Sequence, residues 1–289
     1  MDHRGTIIRP PSEADSILLQ VTLGCSHNRC AFCGAYLDKP FAIKDPAAVR
    51  RDLDFASAHC ARQRRLFLCD GDALVLPQSR LLALLADIRA RLPWVTRVGS
   101  YARAAGLARK SDADLAALRD AGLGIVYMGL ESGDDAVLSS MNKGETAALI
   151  VEQGRRARAA GIKLNVTILN GLGGVAGSLA HARATADALS AMQPDQIAAL
   201  SLMLIPGTPL HARHRQGGFT LPDSLGILRE LREMIAHLDL PRALFLANHA
   251  SNYLPLKVRL PSGKASALEQ LDQAIAGLTP LRPEGMRRL

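Results

Sequence analysis

Aromatic side chains are scarce in this chain of 289 residues, which has one Trp, four Tyr and six Phe. Proteins that bind single-stranded nucleic acids by base stacking combine aromatic residues with a basic surface. The formal charge of +8 comes largely from arginines scattered along helical segments, such as Arg50-Arg51 and Arg155-Arg156. Nucleic-acid binding is therefore not indicated, and a solvated basic surface is the better interpretation.

The chain also lacks any apolar run that approaches the length needed to cross a bilayer. We therefore expect no membrane association and a cytoplasmic location. Hydrophobic residues make up 48% of the sequence, which is enough for a substantial core. A chain of this length suits one large α/β domain or two smaller domains.

Cysteines are few and odd in number, but their placement is informative. Of the five cysteines, Cys25, Cys30 and Cys33 lie within nine residues, directly after an apolar run. A chain of this size needs no covalent cross-link, and an odd count does not suit a disulfide framework. Clustered thiolates on one loop instead point to a metal centre.

Two kinds of metal centre are compatible with three clustered cysteines. A structural zinc site normally takes four ligands, so the fourth would have to be His27 or one of the distant cysteines, Cys60 and Cys69. A cubane iron–sulfur cluster normally takes four cysteines, so three would leave one iron open to another ligand. We favour the cubane, whose open iron would be a chemical site.

The cysteine loop, residues 24–34, resembles the cluster-binding loop of the radical S-adenosylmethionine (radical SAM) superfamily, including the aromatic Phe32 before the last cysteine. Four residues rather than the commoner three separate the first two cysteines, which lengthens the loop without removing a ligand. The resemblance implies a [4Fe–4S] cluster held by Cys25, Cys30 and Cys33. It also implies that SAM chelates the open iron and is cleaved reductively to a 5′-deoxyadenosyl radical.

Short β-like runs alternate with helical segments in which apolar residues recur at three-and-four spacing. Strands are predicted at 17–23, 65–69, 96–101, 125–129, 163–169 and 198–204. Helices are predicted between them at 46–63, 78–91, 112–121, 145–160 and 177–192. Such crossovers indicate parallel pairing, in an open sheet or in a barrel. The resemblance implies the barrel: an α/β fold with a partial (β/α)6 TIM-like barrel and a short C-terminal extension.

Residues 1–210 are predicted to form this barrel core, and residues 211–289 the extension packed on it. The extension should contain a polar loop at 211–218, a helix at 222–238, an apolar run at 243–247 and a helix at 265–276. His249 and Tyr253 interrupt an apolar stretch with groups capable of acid–base chemistry, so they are candidate catalytic residues. A hydrogen-bonded turn is an equally weighted interpretation.

The resemblance further implies SAM contacts at the carboxyl ends of the strands. Asp70, Gly71 and Asp72 follow the second strand, where relatives have an acidic, glycine-containing turn that receives the methionyl amine. An ordinary Asp-Gly turn is the alternative. Ser100, at the end of the third strand, matches a polar SAM contact in the HemN-like branch.

The run Val126-Tyr-Met-Gly-Leu-Glu-Ser-Gly133 resembles a segment shared by the HemN-like, Elongator-like and MiaB-like branches. The match implies that Glu131 meets the ribose hydroxyls and that Lys143 pairs with the SAM carboxylate. A surface lysine at a helix start is the alternative for Lys143. Asn170 and Leu204, at the ends of the fifth and sixth strands, would contribute backbone and apolar contacts to adenine.

The expected function is a radical SAM enzyme that abstracts hydrogen from an unidentified substrate and receives electrons from a donor such as flavodoxin or ferredoxin. Cys60 and Cys69 are too few to hold a second four-cysteine cluster. The alternative function is a non-catalytic haem carrier, resembling the haem-chaperone relatives of HemN that keep the cluster and SAM site without the reaction.

Overall fold

The computed structural model describes residues 1–288, within which strands and helices alternate as the periodicity predicts. The strands are β1 (Ile17–Gln20), β2 (Thr22–Leu23), β3 (Ala42–Ile43), β4 (Arg65–Cys69), β5 (Arg97–Ala102), β6 (Leu123–Glu131), β7 (Lys163–Asn170), β8 (Gln196–Ser201), β9 (Ala243–Leu246) and β10 (Lys257–Leu260). The α-helices are α1 (Pro46–His59), α2 (Gln78–Arg91), α3 (Ala104–Ala108), α4 (Asp112–Asp120), α5 (Asp135–Ser140), α6 (Ala147–Ala159), α7 (Gly174–Met192), α8 (Pro209–Arg215), α9 (Ser224–His237) and α10 (Lys264–Ile275). Among residues 1–288, no helix is long and apolar enough to span a bilayer.

The main sheet has the strand order β1-β4-β5-β6-β7-β8-β9-β10, and β2 with β3 forms a small antiparallel pair. The pairs β1–β4, β4–β5 and β5–β6 are parallel, as are β7–β8 and β8–β9. Only the β9–β10 pair of this sheet is recorded as antiparallel among residues 1–288. All six predicted strands are present, and their parallel order follows from the helical crossovers.

The prediction of a loop at 211–218 is wrong, because α8 begins at Pro209. The Thr208 hydroxyl accepts a hydrogen bond from the His211 amide at 3.3 Å, and proline occupies the first helical position. Both features are ordinary signals of a helix start. The apolar run at 243–247 contains β9, which continues the sheet beside β8.

The chain forms two compact units, and it passes from one to the other inside the cysteine loop. The first unit contains residues 1–28, 35–128 and 153–164; the second contains residues 29–34, 129–152 and the chain from 165 onward. The division of the chain at residue 210 into core and extension stays a prediction.

Part of the first unit's core gathers several of the few aromatic residues. Phe67 is fully buried, and the rings of Tyr101 and Tyr127 meet it edge-on at centroid distances of 5.1 and 5.6 Å. The buried Glu13 carboxylate accepts hydrogen bonds from the Tyr127 and Ser16 hydroxyls, each at 2.5 Å. Strands β4, β5 and β6, which carry these three rings, therefore direct one face towards a packed aromatic cluster.

A core cluster of the second unit lies beside the carboxyl ends of β7 and β8. It contains Leu169, Leu172 and Leu202 together with Met141 and Phe219, all buried. Ala31 of the cysteine loop belongs to the same cluster. The second half of the loop is thus held in part by apolar packing.

Candidate cofactor site

Asp70 holds the start of the cysteine loop. It follows β4 with a left-handed backbone (φ 65°), and its side chain is completely buried. Its Oδ2 accepts hydrogen bonds from the Gly24 amide at 3.0 Å, from Gln20 Nε2 at 2.9 Å and from Lys39 Nζ at 3.2 Å. Because a buried carboxylate needs such partners, these contacts assign Asp70 a loop-building role. Its predicted contact with SAM stays a prediction.

Two glycines let the backbone pack directly against the first cysteine. A Cβ atom on Gly71 would lie 2.8 Å from the Cβ of Cys25, closer than real side chains approach. The Gly71 amide donates to the Gly24 carbonyl at 2.9 Å. Gly24 has φ 66°, and a Cβ there would collide with the Lys39 carbonyl oxygen. Larger residues would have to displace this end of the loop.

Asp72 holds the residue that follows Cys25. Its carboxylate is buried and accepts a hydrogen bond from the Ser26 hydroxyl at 2.6 Å. The Arg103 amide lies 3.5 Å from the other carboxylate oxygen. The acidic turn therefore supports the loop through both of its carboxylates, and a contact from Asp72 to SAM stays a prediction.

Ser100 lies on the opposite face of β5 from Tyr101, because side chains alternate along a strand. Tyr101 packs with Phe67, whereas Ser100 is fully buried and its hydroxyl donates to the Tyr101 carbonyl at 2.8 Å. The structure therefore places Ser100 on a different face from the aromatic cluster. Its role as a SAM contact stays a prediction.

The second half of the cysteine loop, with Cys30 and Cys33, belongs to the second unit and is held through its backbone. The Ala31 amide donates to the Met141 carbonyl at 2.8 Å. The Leu210 amide donates to the Ala31 carbonyl at 2.9 Å. These two hydrogen bonds attach Ala31, which directly follows Cys30, to the segment after α5 and to the start of α8.

Glu131 and Lys143 form an ion pair in the same unit. Glu131 ends β6 with φ 64°, and its Oε1 lies 3.2 Å from Lys143 Nζ. A Cβ on Gly129 would lie 2.9 Å from Nζ, so a larger residue there would displace the ends of the paired side chains. Burial lowers the pKa of Lys143, but the fields of Glu131, Cys30 and Glu145 outweigh it and raise the pKa above its ordinary value. The ammonium therefore stays charged, and a negative charge on the Cys30 sulfur favours this form.

Asn170 and Leu204 have different surroundings. Asn170 is completely buried at the end of β7, and within the described part of the chain neither atom of its amide group has a hydrogen-bond partner. It lies on the opposite strand face from Leu169. Leu204 is half-buried and packs against the cluster that contains Leu169 and Ala31. Contacts of either residue with adenine stay predictions.

His249 and Tyr253 lie in a hydrogen-bonded turn. His249 Nδ1 is 2.9 Å from the Ser251 hydroxyl. The Tyr253 hydroxyl donates to Glu284 at 2.5 Å and accepts from Arg287 at 2.7 Å. Burial raises the pKa of Tyr253 to about 12, and burial also lowers the pKa of His249. These contacts are those of a structural turn, and a catalytic role for either residue stays a prediction.

The sequence did not reveal that the turn at residues 249–253 is hydrogen-bonded to β8 and, through Arg287, to the residue that follows β8. Asn252 accepts from the Ser201 hydroxyl and donates to the Ala199 carbonyl, both at 2.8 Å. The buried Arg287 guanidinium donates to the Leu202 carbonyl at 2.9 Å and to the Ser251 carbonyl at 2.6 Å. The chain's last described residues thus reach back to the end of the sixth barrel strand.

The donor set of the cysteine loop fits an iron–sulfur cluster. None of the five cysteines, each within residues 1–288, forms a disulfide. Cys69 lies in the aromatic cluster, and burial, with a smaller effect of Asp70, raises its pKa to about 12. Cys60 ends α1, where its carbonyl accepts from Trp94. Of the five thiols, this leaves the three on the loop, whose soft donors suit iron–sulfur clusters.

Within residues 1–288, no three His, Cys, Asp or Glu side chains converge on one point as the ligands of a single metal ion do. A cubane cluster instead offers a separate iron atom to each cysteine. Gly71 packs closely on Cys25. Lys143 places a positive charge near Cys30, which suits a bound anionic cluster.

The sequence profile of the radical SAM superfamily matches residues 19–177, more than half of the chain. No curated protein sequence matches the chain significantly. The profile match covers the whole cysteine loop and the strand ends up to Asn170.

Solved structures show the same fold at low sequence identity. Methylornithine synthase (PylB) is 16% identical with a TM-score of 0.54, and the match covers 92% of this chain and 83% of that chain. Coproporphyrinogen III oxidase (HemN) from Escherichia coli is 17% identical with a TM-score of 0.56, covering 76% and 51%. The radical SAM methyltransferase TsrM from Kitasatospora setae, solved with cobalamin and a [4Fe–4S] cluster, is 18% identical with a TM-score of 0.56, covering 93% and 55%.

The chain thus spans only about half of HemN and of TsrM, and these likenesses establish the fold alone. They agree with the predicted α/β partial barrel. The cofactors predicted from the cysteine loop, a [4Fe–4S] cluster and SAM, are those of the superfamily. The matched profile and the shared fold together show that this chain belongs to the radical SAM superfamily.

Proposed function

We propose that this chain is an enzyme in which Cys25, Cys30 and Cys33 hold a [4Fe–4S] cluster with one iron open to SAM. When bound, the cluster supplies the electron that cleaves SAM to a 5′-deoxyadenosyl radical, which removes a hydrogen atom from a substrate. The observation that carries the proposal is the cysteine loop: three cysteines outside any disulfide on one segment, within the matched profile. Its start is anchored by Asp70 and its end by Met141 and Leu210.

The chain's own residues would bind and orient SAM. Lys143 is buried, charged and near Cys30, which suits a partner for the SAM carboxylate as a point charge. Glu131 has a partly exposed carboxylate that can accept hydrogen bonds from ribose hydroxyls. Gly71 packs against Cys25, and Asp72 accepts a hydrogen bond from the next residue, Ser26. These two residues would meet the methionyl amine. Apolar Leu204, beside the cysteine loop, would pack on adenine.

The substrate class is left open in this proposal. We propose the relationship to the HemN-like, Elongator-like and MiaB-like branches from the Glu131 segment, and the relationship to the first two also from the run Pro206-Gly-Thr-Pro209. Because superfamily members need a reductant, we propose a small electron-transfer protein such as flavodoxin or ferredoxin as the donor, in a cytoplasmic setting where exposed clusters survive. The reaction would be of the oxidoreductase or transferase type.

The test is anaerobic reconstitution of the full chain with iron and sulfide, followed by metal analysis and incubation with SAM and dithionite. The wild type should bind about four irons and four sulfides per chain and release 5′-deoxyadenosine. Cys30→Ala should lose most of the iron. Cys60→Ser is the matched control, since Cys60 lies at the end of α1, and should keep full iron content and activity.

Two results would contradict the proposal. The first is wild-type protein that takes up zinc and no iron. The second is a protein with a full cluster that binds haem stoichiometrically and releases no 5′-deoxyadenosine, which would favour the carrier.

A further inference from the structure

The second unit contains a buried polar network with no assigned role. Ser132, His181, Thr185 and Glu230 have completely buried side chains on the loop after β6 and on helices α7 and α9. Buried polar groups destabilise a protein unless their hydrogen bonds are satisfied, and satisfied networks make the surrounding backbone rigid. The partners of this network are the backbone groups of two turns.

The first turn directly follows Glu131. The Ser132 hydroxyl lies 2.7 Å from His181 Nδ1 and accepts from the Asp134 amide at 3.0 Å. The Gly133 amide donates to the Thr185 hydroxyl at 2.9 Å. Side chains of α7 therefore hold the two residues after Glu131, and Ser132 in turn holds the third. A left-handed backbone at a glutamate is unfavourable and persists only where its surroundings impose it.

The second turn directly follows Asn170. The Gly171 amide donates to Glu230 Oε1 at 2.5 Å, and the Ser178 hydroxyl donates to Oε2 at 2.5 Å. Gly171 has φ 88°, and a Cβ there would lie 2.7 Å from Ile227 of α9. Both carboxylate oxygens of Glu230 are thus engaged with the turn between β7 and α7.

His181 and Glu230 join the two turns. His181 Nε2 lies 3.5 Å from Glu230 Oε1, with the Leu169 carbonyl as the other acceptor near the ring, but among the described residues it makes no hydrogen bond of normal distance and angle. Because only acceptors face Nε2, we assign the proton to this nitrogen and let Nδ1 accept from the Ser132 hydroxyl. Hydrogen bonds thus tie His181 to the first turn and Glu230 to the second, and the two side chains lie 3.5 Å apart.

We infer that Ser132, His181 and Glu230 are positioning residues for SAM, holding the ends of β6 and β7 in the orientation that presents Glu131 and Asn170. This inference rests on the proposed function, in which those two strand ends contact SAM. Groups that orient a ligand-binding residue without touching the ligand typically change affinity or activity by about 10- to 100-fold when removed.

The experiment measures SAM affinity of the reconstituted holoenzyme by equilibrium dialysis, with the melting temperature measured in parallel. His181→Leu removes both ring nitrogens and should weaken SAM binding by about 10-fold or more. His181→Asn keeps an acceptor near the position of Nδ1 and should restore most of the affinity. Ser132→Ala removes one hydroxyl, so it keeps the test informative if His181→Leu does not fold.

Asn165→Ala is the matched control. Asn165 is buried at the opposite end of β7, where its amide donates to Gln196 at 3.0 Å, so its loss should lower stability and leave SAM affinity unchanged. If His181→Leu and Ser132→Ala lower the melting temperature as Asn165→Ala does and bind SAM like the wild type, the positioning role is overturned. A wild type that holds its cluster yet binds no SAM would overturn the proposed function as well.

Discussion

The turns at Asp70 and Glu131 have the same backbone conformation at the acidic residue, but the two carboxylates have different contacts. Each is an acidic residue at the end of a strand, with φ 65° and 64° respectively. The Asp70 side chain is 0% exposed and accepts from three donors, whereas the Glu131 side chain is 13% exposed and pairs with Lys143. The same backbone geometry can therefore direct a carboxylate into the protein or leave it accessible to a ligand.

The residues that follow the two acids also differ. Gly71 follows Asp70 and brings the backbone against Cys25. Ser132 follows Glu131 and is held by His181. At the first turn the absence of a side chain on Gly71 permits close packing. At the second turn the His181 side chain holds Ser132 in place. The first turn is thus built to shape the loop, and the second to orient one carboxylate.

The same chemical change at the two turns should lower stability by different amounts. Asp70→Asn leaves the buried Lys39 ammonium without its countercharge, and breaking a buried ion pair typically costs about 3–5 kcal/mol. We expect a loss of that order in the free energy of unfolding, measured by urea denaturation of the apo protein, together with reduced iron uptake. Glu131→Gln should cost less, because the Glu131 side chain is 13% exposed and the field of Glu145 still acts on the buried Lys143 ammonium.

The double variant Asp70→Asn with Lys39→Met is the control for this pair, since it removes the unpaired charge. It should recover part of the lost stability. Equal losses from Asp70→Asn and Glu131→Gln would contradict the distinction between the two turns.

Gly71→Ala should have the next largest effect. Its Cβ would press on the backbone and Cβ of Cys25, and such overpacking typically costs about 1–3 kcal/mol. Iron content after reconstitution should fall along with the free energy of unfolding. Gly177→Ala is the matched control, because nothing lies within 4 Å of the added Cβ, and alanine there should be neutral or slightly stabilising. Unchanged iron content in Gly71→Ala would show that the loop can shift without loss.

Much of the fold was predictable because the relevant signals are local. The bounds of β4 and α2 match the predictions, since apolar periodicity and turn residues lie within a few positions of each other. The helix α8 was missed although Thr208 and Pro209 carry a helix start signal, because the polar composition of the segment suggested a loop. The pairing of β10 depends on contacts that spacing does not reveal.

The site was less predictable because its supports are distant in the chain. Closely spaced cysteines reveal the loop directly. The partnership of Asp70 with Gln20 joins residues fifty positions apart, and that of Ser132 with His181 joins residues forty-nine apart. A lone histidine in the apolar helix α7 gives no sign of its partner. Sequence reasoning could therefore name candidate ligands but not the groups that orient them.

Glu131→Gly removes the carboxylate while it keeps the backbone conformation of the turn, so it tests the two contributions separately. Glycine adopts φ 64° freely, which should offset part of the cost of leaving the buried Lys143 ammonium without its partner, so the free energy of unfolding should fall less than in Glu131→Gln. SAM affinity of the reconstituted protein should nevertheless fall roughly 10-fold, the loss of about one charge-assisted hydrogen bond. If Glu131→Gly bound SAM as the wild type does, the carboxylate would have no part in the site.

In the wild type the pH dependence of stability should be small, because two buried groups oppose each other. Burial lowers the pKa of His181 from 6.5 to about 4, against the opposing effects of Asp134 and the Leu169 carbonyl. Burial raises the pKa of Glu230 from 4.5 to about 7, against the hydrogen bonds from Ser178 and Gly171. Between pH 4.5 and 6.5 the unfolded histidine binds a proton that the folded one does not. The folded Glu230, conversely, keeps a proton that the unfolded one loses.

The histidine therefore makes stability rise with pH over this interval, and Glu230 makes it fall, so that in the wild type the two contributions largely cancel. His181→Leu leaves the Glu230 contribution, so its free energy of unfolding, relative to the wild type, should fall as pH rises from 4.5 to 6.5. Glu230→Gln leaves the histidine contribution and should show the opposite slope. Urea denaturation of the apo variants at both ends of the interval measures these slopes. Two slopes of the same sign would mean that the pair does not titrate as two separately buried groups, because only opposite shifts of two pKa values produce opposite slopes.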